Sequence, residues 1–261
     1  MLEKNEKFSY FDAHFHLGDC LEQFPFNWAG CSCFHSPEEW ESALAKIKSV
    51  VPEPVEGPQK KLYLSYGLHP QSAGWINIKQ CADFLENLLT QNKLNAIGEA
   101  GFDYFTSEFR EHAALQEEMF NIQLQLALQY NKPMVIHARK ANHKLFEYSK
   151  QFKKLPAVLF HSFMGPAREA QSLINHGINS YFSFGKQIMN NNKKVLDCAQ
   201  NLPLKNLLLE TDAPFQYLKG EQFTALSDIK KIYEAFLSLR KESKEIVFNQ
   251  LEENFMELFS K

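Results

Sequence analysis

Eight short apolar runs alternate with helical stretches along almost the whole chain, and no other feature restricts its fold so tightly. The runs cover residues 8–17, 28–34, 61–67, 95–99, 133–137, 157–161, 179–184 and 206–210. Between and after them, apolar residues at three- and four-residue steps predict helices from Pro37 to about residue 51 and over 78–89, 108–130, 141–152, 166–176, 193–201, 223–239 and 243–259. Runs this continuously apolar suit a parallel sheet covered on both faces. The economical architecture is α/β, a single (β/α)8 TIM barrel spanning residues 1–261 as one domain, a fold that typically uses about 250 residues. A doubly wound open sheet is the competing fold, but the Gly-x-Gly-x-x-Gly phosphate turn it often carries is missing. The breaker Pro52-Glu-Pro-Val-Glu-Gly-Pro58 is too short for a domain linker.

Composition narrows the class further. Hydrophobic content of 44% and charged content of 23% exclude a disordered chain. With 28 basic against 31 acidic residues the formal charge is −3, so a polyanion must be met by a local basic patch and by metal ions. Cys20, Cys31, Cys33, Cys81 and Cys198 are odd in number and lack Cys-x-x-Cys spacing, which argues against a disulfide framework and a structural zinc site. No apolar leader and no long apolar span is present, so the expected compartment is the cytoplasm, without membrane association.

The chemistry collects at the carboxyl ends of the predicted strands, where barrel enzymes carry their active sites. Strand one brings His14 and His16, strand three His69, strand four Glu99, strand five His137, strand six His161 and strand eight Asp212. Alternate side chains of an extended strand point the same way, so Asp12, His14 and His16 are expected on one face and Ala13 and Phe15 on the other. Imidazoles and carboxylates are the ligand set of zinc or another divalent cation, and this many exceed the needs of one open site. Two ions sharing a carboxylate would use them all. Glu99 is the best bridge, because its strand lies between those carrying His14/His16 and His137/His161. Asp212, beside strand one in a closed barrel, would complete the first site.

At these same positions the chain resembles the TatD-like metal-dependent deoxyribonucleases of the amidohydrolase-type barrels. The matching motifs are Asp12-x-His14-x-His16-Leu17, Gly67-Leu-His69-Pro70, Ile97-Gly-Glu99-x-Gly-x-Asp103-Tyr104, Ile136-His137-x-Arg139, His161-x-Phe163-x-Gly165 and Leu209-Glu210-Thr211-Asp212-Ala-Pro214. The resemblance implies that His14, His16, Glu99 and Asp212 hold one divalent ion and that Glu99, His137 and His161 hold a second, the metal being zinc, magnesium or manganese. It also implies hydrolysis of DNA phosphodiester bonds, with 3′-5′ exonuclease action in some members. Lys140, Ser162, Met164 and the placement of Asp19 after Gly18 depart from the family pattern. None of these positions is an expected metal ligand, so the departures bear on substrate choice.

The expected function is two-metal activation of water against DNA, single-stranded or frayed, with RNA a further substrate and the chain acting as a monomer. Asp212 is the expected base for the attacking water. His69 either donates to the phosphate or packs before Pro70. Arg139 either forks onto a phosphate or makes an ordinary salt bridge. Asp103 orients an imidazole or holds its loop, and Asp12 orients a ligand rather than being one. Phe102, Tyr104, Phe105, Phe163 and Phe215 flank the ligand positions and either stack on bases or fill the core. His35, His112, His143 and His176 receive no role. An amidase of this architecture would often bridge its metals with a carbamylated lysine on strand four, where this chain has Glu99. The same barrel and ligand types would also serve a lactonase or phosphotriesterase-like hydrolase of a small substrate, or a non-catalytic metal-binding barrel.

Overall fold

The structure, a computed structural model, describes residues 8–18, 27–50 and 61–260. Asp19, Cys20 and the breaker at 52–58 lie outside the described residues. In chain order the elements are β1 (Tyr10–Phe15), β2 (Trp28–Phe34), α1 (Pro37–Val50), β3 (Lys61–Tyr66), α2 (Ile78–Thr90), β4 (Ala96–Asp103), α3 (Ser107–Glu111), α4 (Ala113–Gln129) and β5 (Met134–Arg139). There follow α5 (Asn142–Glu147), α6 (Ser149–Phe152), β6 (Val158–Phe160), α7 (Ala167–Asn175), β7 (Ser180–Phe184), α8 (Lys193–Asn201), β8 (Leu207–Leu209), α9 (Ile229–Leu239) and α10 (Lys244–Phe259).

The strands pair in parallel in the order β1 to β8. Past the end of β8, Asp212 N–H donates to the His14 carbonyl of β1 at 2.9 Å, and His16 N–H donates to the Ala213 carbonyl at 2.8 Å. These bonds bring the last strand back to the first and make the sheet a (β/α)8 TIM barrel.

Strand periodicity sorts the core into two buried clusters. Ala29, Cys31, Tyr63, Ala96, Val135, Leu159, Tyr181 and Leu208 pack with one another inside the barrel. Their strand neighbours, such as Phe34, Tyr66, Ile97, Ile136, Phe160 and Phe182, face outward onto Trp40, Leu85, Phe120 and Phe152 of the helices. The inner cluster is closed from below by Phe255, Leu258 and Phe259 of α10. That helix is fixed at the strands' amino ends, where Asn254 Nδ2 donates to the Leu207 carbonyl at 2.7 Å and Asn95 Nδ2 to the Phe259 carbonyl at 2.9 Å. The floor is therefore apolar and the chemistry is confined to the opposite end.

Some elements differ from their sequence pattern. β4 continues past Glu99 to Asp103, because residues 100–103 pair with β5. The expected helix over 108–130 breaks at His112, where the Phe109 carbonyl accepts from the Gln116 side-chain amide at 2.8 Å. The stretch 141–152 breaks at Tyr148. The stretch 223–239 becomes helical only at Leu226, since Thr224 N–H is drawn to the Pro214 carbonyl at 2.9 Å. Cys31, Cys33, Cys81 and Cys198 are free and buried. Among the described residues, no helix is long and apolar enough to cross a membrane.

Candidate metal centre

Two strands break the regular alternation, and between them they deliver His14, His16 and Glu99, three of the six expected ligands. In β1, Phe11 and Ala13 point into the barrel but Phe15 and Leu17 point out, and the pairing with β2 shifts between Asp12 and Phe15. The expected common face for Ala13 and Phe15 is thus not observed. A shift of this kind reverses the side-chain parity beyond it, which turns His14 and His16 inward. In β4, Ala96 points in, Ile97, Ala100 and Phe102 point out, and the register with β5 shifts between Ile97 and Ala100. The same reversal brings Glu99 and Asp103 inside. Glycine makes this possible: a Cβ on Gly98 (φ 141°) would lie 2.3 Å from the Val135 carbonyl oxygen, and one on Gly101 (φ 146°) 2.0 Å from that of His137.

Glu99 stands at the centre of the resulting cluster. Its Oε2 faces His14 Nε2 at 3.2 Å and His16 Nε2 at 3.8 Å. Its Oε1 faces His137 Nδ1 at 2.5 Å, His161 Nε2 at 2.8 Å and His69 Nε2 at 3.2 Å. Asp212 Oδ1 lies 3.5 Å from His14 Nε2 and 3.3 Å from His16 Nε2, while its Oδ2 accepts from Gln216 Nε2 at 2.6 Å. Asp212 adopts φ 52°, a left-handed conformation that a non-glycine residue keeps only when its surroundings hold it there.

The outer nitrogens of three imidazoles also have partners. His137 Nε2 meets Asp103 Oδ2 at 3.1 Å, and Asp103 in turn accepts from Gln71 Nε2 and from Phe105 N–H. His161 Nδ1 lies 3.5 Å from Glu210 Oε1, whose other oxygen accepts from Ser183 Oγ at 2.5 Å. His16 Nδ1 lies 3.3 Å from His35 Nε2. Partners of this kind fix which ring nitrogen carries the proton and turn the other inward as a ligand.

Burial alone would raise the Glu99 pKa, yet His161, His69, His14 and the His137 hydrogen bond hold it well below the carboxylate range. Asp212 is likewise lowered against its burial, through His16 and His14. Burial lowers His14, with His161 adding to the effect. In His16, burial is overcome by the Asp212 carboxylate and the pKa rises. In His161 it is overcome by Glu99 and Glu210, and the pKa rises well above the imidazole range.

The donors fit divalent cations. Carboxylate oxygens and imidazole nitrogens converge from opposite walls, and His14 and His16 hold their Nε2 atoms 3.1 Å apart. Donor atoms of His14, His161 and Asp212, of His14, His16 and Glu99, and of His69, Glu99 and His137 each lie within 4.8 Å of one another.

All six residues expected to hold metal therefore meet in one cluster, and His69 joins it. The Nδ1 of His69 accepts from Gln71 N–H at 3.2 Å, which leaves its Nε2–H to donate to Glu99. Arg139 does not make the ordinary salt bridge that was one of its two expectations. Among the described residues its guanidinium has no carboxylate partner, and it lies 3.7 Å above the Phe105 ring in solvent. Asp12 faces Thr211, accepting from its N–H at 2.9 Å and its Oγ1 at 2.7 Å, with burial pushing its pKa up to about 8. Phe102 and Phe163 are core, whereas Phe105 and Phe215 are exposed. His35 and Glu210 received no role from sequence. Glu210 stood in a recognised motif, but His35 follows β2, from which the sequence suggested no ligand, and only the fold places it against His16.

A sequence model described as TatD related DNase matches residues 11–260. The chain belongs to the TatD-related DNase family. It is a TatD-like metal-dependent hydrolase acting on ester bonds. An uncharacterized metal-dependent hydrolase of Mycoplasma pneumoniae is 28% identical over 214 residues, covering 79% of this chain and 81% of the relative. A 3′-5′ ssDNA/RNA exonuclease TatD of Edwardsiella piscicida is 33% identical over 152 residues, 57% of this chain and 56% of that protein. In fold, the Escherichia coli TatD homolog YjjV superposes with a TM-score of 0.81 at 24% identity, over 97% of this chain and 98% of its own.

Proposed function

We propose that this TatD family member is a nuclease that uses two divalent cations to hydrolyse phosphodiester bonds of DNA, as a 3′-5′ exonuclease on single strands or frayed ends. RNA is a second substrate, and the chain acts as a monomer. The observation that carries this reading is the Glu99 carboxylate, with one oxygen toward His14 and His16 and the other toward His137 and His161. His14, His16, Glu99 and Asp212 would hold one zinc, magnesium or manganese ion, and Glu99, His137 and His161 the other. The chemistry such a pair supplies when bound is activation of water and neutralisation of charge on the phosphodiester oxygens.

The chain's own residues do the rest. Asp212 Oδ1 orients the attacking water and takes its proton, while Gln216 holds Oδ2 and so fixes the carboxylate plane. His69 Nε2–H acts as a hydrogen-bond donor within the cluster, toward Glu99 and the bound phosphate. Asp103 and His35 accept the outer N–H of His137 and His16, and the Glu210 carboxylate stands 3.5 Å from His161 Nδ1, so that the ligand nitrogens face inward. Family membership and the nuclease named among its relatives support the substrate class.

The test compares initial rates on short single-stranded DNA, RNA and an aryl lactone. Activity on nucleic acid is expected to vanish with EDTA and return with Mg²⁺, Mn²⁺ or Zn²⁺. Asp212→Asn should lower it by at least about a hundredfold while the fold persists by circular dichroism. Full turnover in Asp212→Asn, or a preference for the lactone, rules the reading out.

A further inference from the structure

Large exposed hydrophobic side chains are distributed unevenly. Among the described residues, all except Ile246 lie in segments that follow a strand's carboxyl end, on the rim that holds the metal-candidate cluster. Trp75, Phe105, Phe215, Tyr217 and Phe223 supply aromatic faces there. Rings this exposed keep apolar surface in water, and their confinement to the mouth of a site marks a surface made to be covered.

Two of them are coupled to groups already described. Phe215, 48% exposed, sets its ring against that of His16, with centroids 5.1 Å apart and planes at 78°. Phe105, also 48% exposed, lies under the Arg139 guanidinium at 3.7 Å. Phe105 follows β4 and Phe215 follows β8, strands four places apart in a ring of eight, so the two platforms stand on opposite sides of the mouth, Phe215 against His16 and Phe105 with its N–H on Asp103. A flat ring and a flat guanidinium each accept a base face, and the cation adds attraction for a neighbouring phosphate.

We propose that the Phe215 ring and the Arg139–Phe105 stack are base platforms that receive unpaired nucleobases on either side of the phosphodiester bond. This rests on the nuclease reading and adds to it: the substrate is recognised through base faces on both flanks, so a strand with stacking bases is preferred over one with the same phosphates and none. Paired bases, whose faces are occupied by their neighbours, cannot use these platforms.

Fluorescence anisotropy decides it, with labelled oligothymidylate and a matched strand carrying abasic sites at its 3′ end, both bound to Asp212→Asn protein in Mg²⁺. The abasic strand is expected to bind at least about tenfold more weakly. Phe105→Ala and Phe215→Ala should each weaken binding of the base-bearing strand by about tenfold with little change for the abasic one, while Phe105→Trp and Phe215→Trp retain the preference. Equal binding of the two strands, or equal losses for both in the alanine variants, overturns the proposal. Nucleotide release by unaltered protein is scored separately. Release without a base preference removes the platforms and keeps the nuclease, whereas a base preference without release in Mg²⁺, Mn²⁺ or Zn²⁺ removes the nuclease and keeps the platforms.

Discussion

Removing the His35 imidazole separates two jobs that metal ligands usually combine, binding and being held in the right tautomer. Burial, followed by His69 and His16, holds the His35 pKa well below the imidazole range, so the ring is neutral and accepts the His16 Nδ1 proton at its Nε2. His35→Ala should therefore weaken divalent-ion affinity by about ten- to a hundredfold, while the melting temperature of metal-free protein stays close to that of the parent. Isothermal titration beside thermal melting checks this; unchanged affinity would show that His16 needs no such partner. At this scale much was legible. His14, His16, Glu99, His137, His161 and Asp212 stood out because each is a polar side chain ending an apolar run. His35 did not, because nothing in Cys33-Phe34-His35-Ser36 distinguishes a residue touching a ligand from one opening a helix. Nor did the buried amides of Gln116 and Gln123, which bind the backbone at Asp103 and Leu68 and so brace the end of β4 and the loop carrying His69. In a sequence they read only as polar gaps in the apolar face of α4.

Among the elements, the irregular pair β1 and β4 decides which way the ligands point. Gly101→Ala forces a Cβ to within 2.0 Å of the His137 carbonyl oxygen at a φ that suits glycine alone. It is expected to cost roughly 2–4 kcal/mol by urea unfolding and to abolish the stabilisation that divalent ions give; a neutral result would mean that β4 and β5 separate freely. A second joint ties the segment after β7 to α9, where the fully buried Lys186 reaches Asp228 Oδ2 at 2.7 Å. Burial opposes ionisation of Asp228, but hydrogen bonds from Lys186 and Lys231 lower its pKa. A carboxyl whose folded pKa lies below its unfolded value of about 3.9 stabilises the protein fully above that value and loses this contribution as pH falls through the folded one. Asp228→Asn should lower stability by roughly 2 kcal/mol at neutral pH, less than a complete buried pair because Glu221 still meets Lys186. Urea midpoints of variant and parent should converge as pH falls through the lowered folded pKa of Asp228; a gap that persists beyond it would assign the loss to packing. The existence and order of strands were readable from their apolar runs, whereas the parity reversals in β1 and β4 were not. Simple alternation places Ala13 and Phe15 together, and only cross-strand register reveals the extra residue.

For the molecule as a whole, the cluster draws carboxylates and five imidazoles out of water with their inward-facing atoms set against one another, so an ion that joins them also stabilises the barrel. Divalent metal at about a hundred times its dissociation constant should add about 2.7 kcal/mol of stability, visible as a raised melting temperature that EDTA reverses and His14→Ala diminishes. No shift with any of Mg²⁺, Mn²⁺ or Zn²⁺ would mean that the donors do not act as a metal site. The barrel could be anticipated from length and strand–helix alternation alone, but its apolar floor could not, since the α10 pattern in sequence does not say where its last turn docks. That floor has an effect on traffic. With Phe255, Leu258 and Phe259 stoppering the lower end, the barrel is, among the described residues, a cul-de-sac closed at its floor. On the nuclease proposal, a severed nucleotide has to leave across the same rim by which the next stretch of strand arrives.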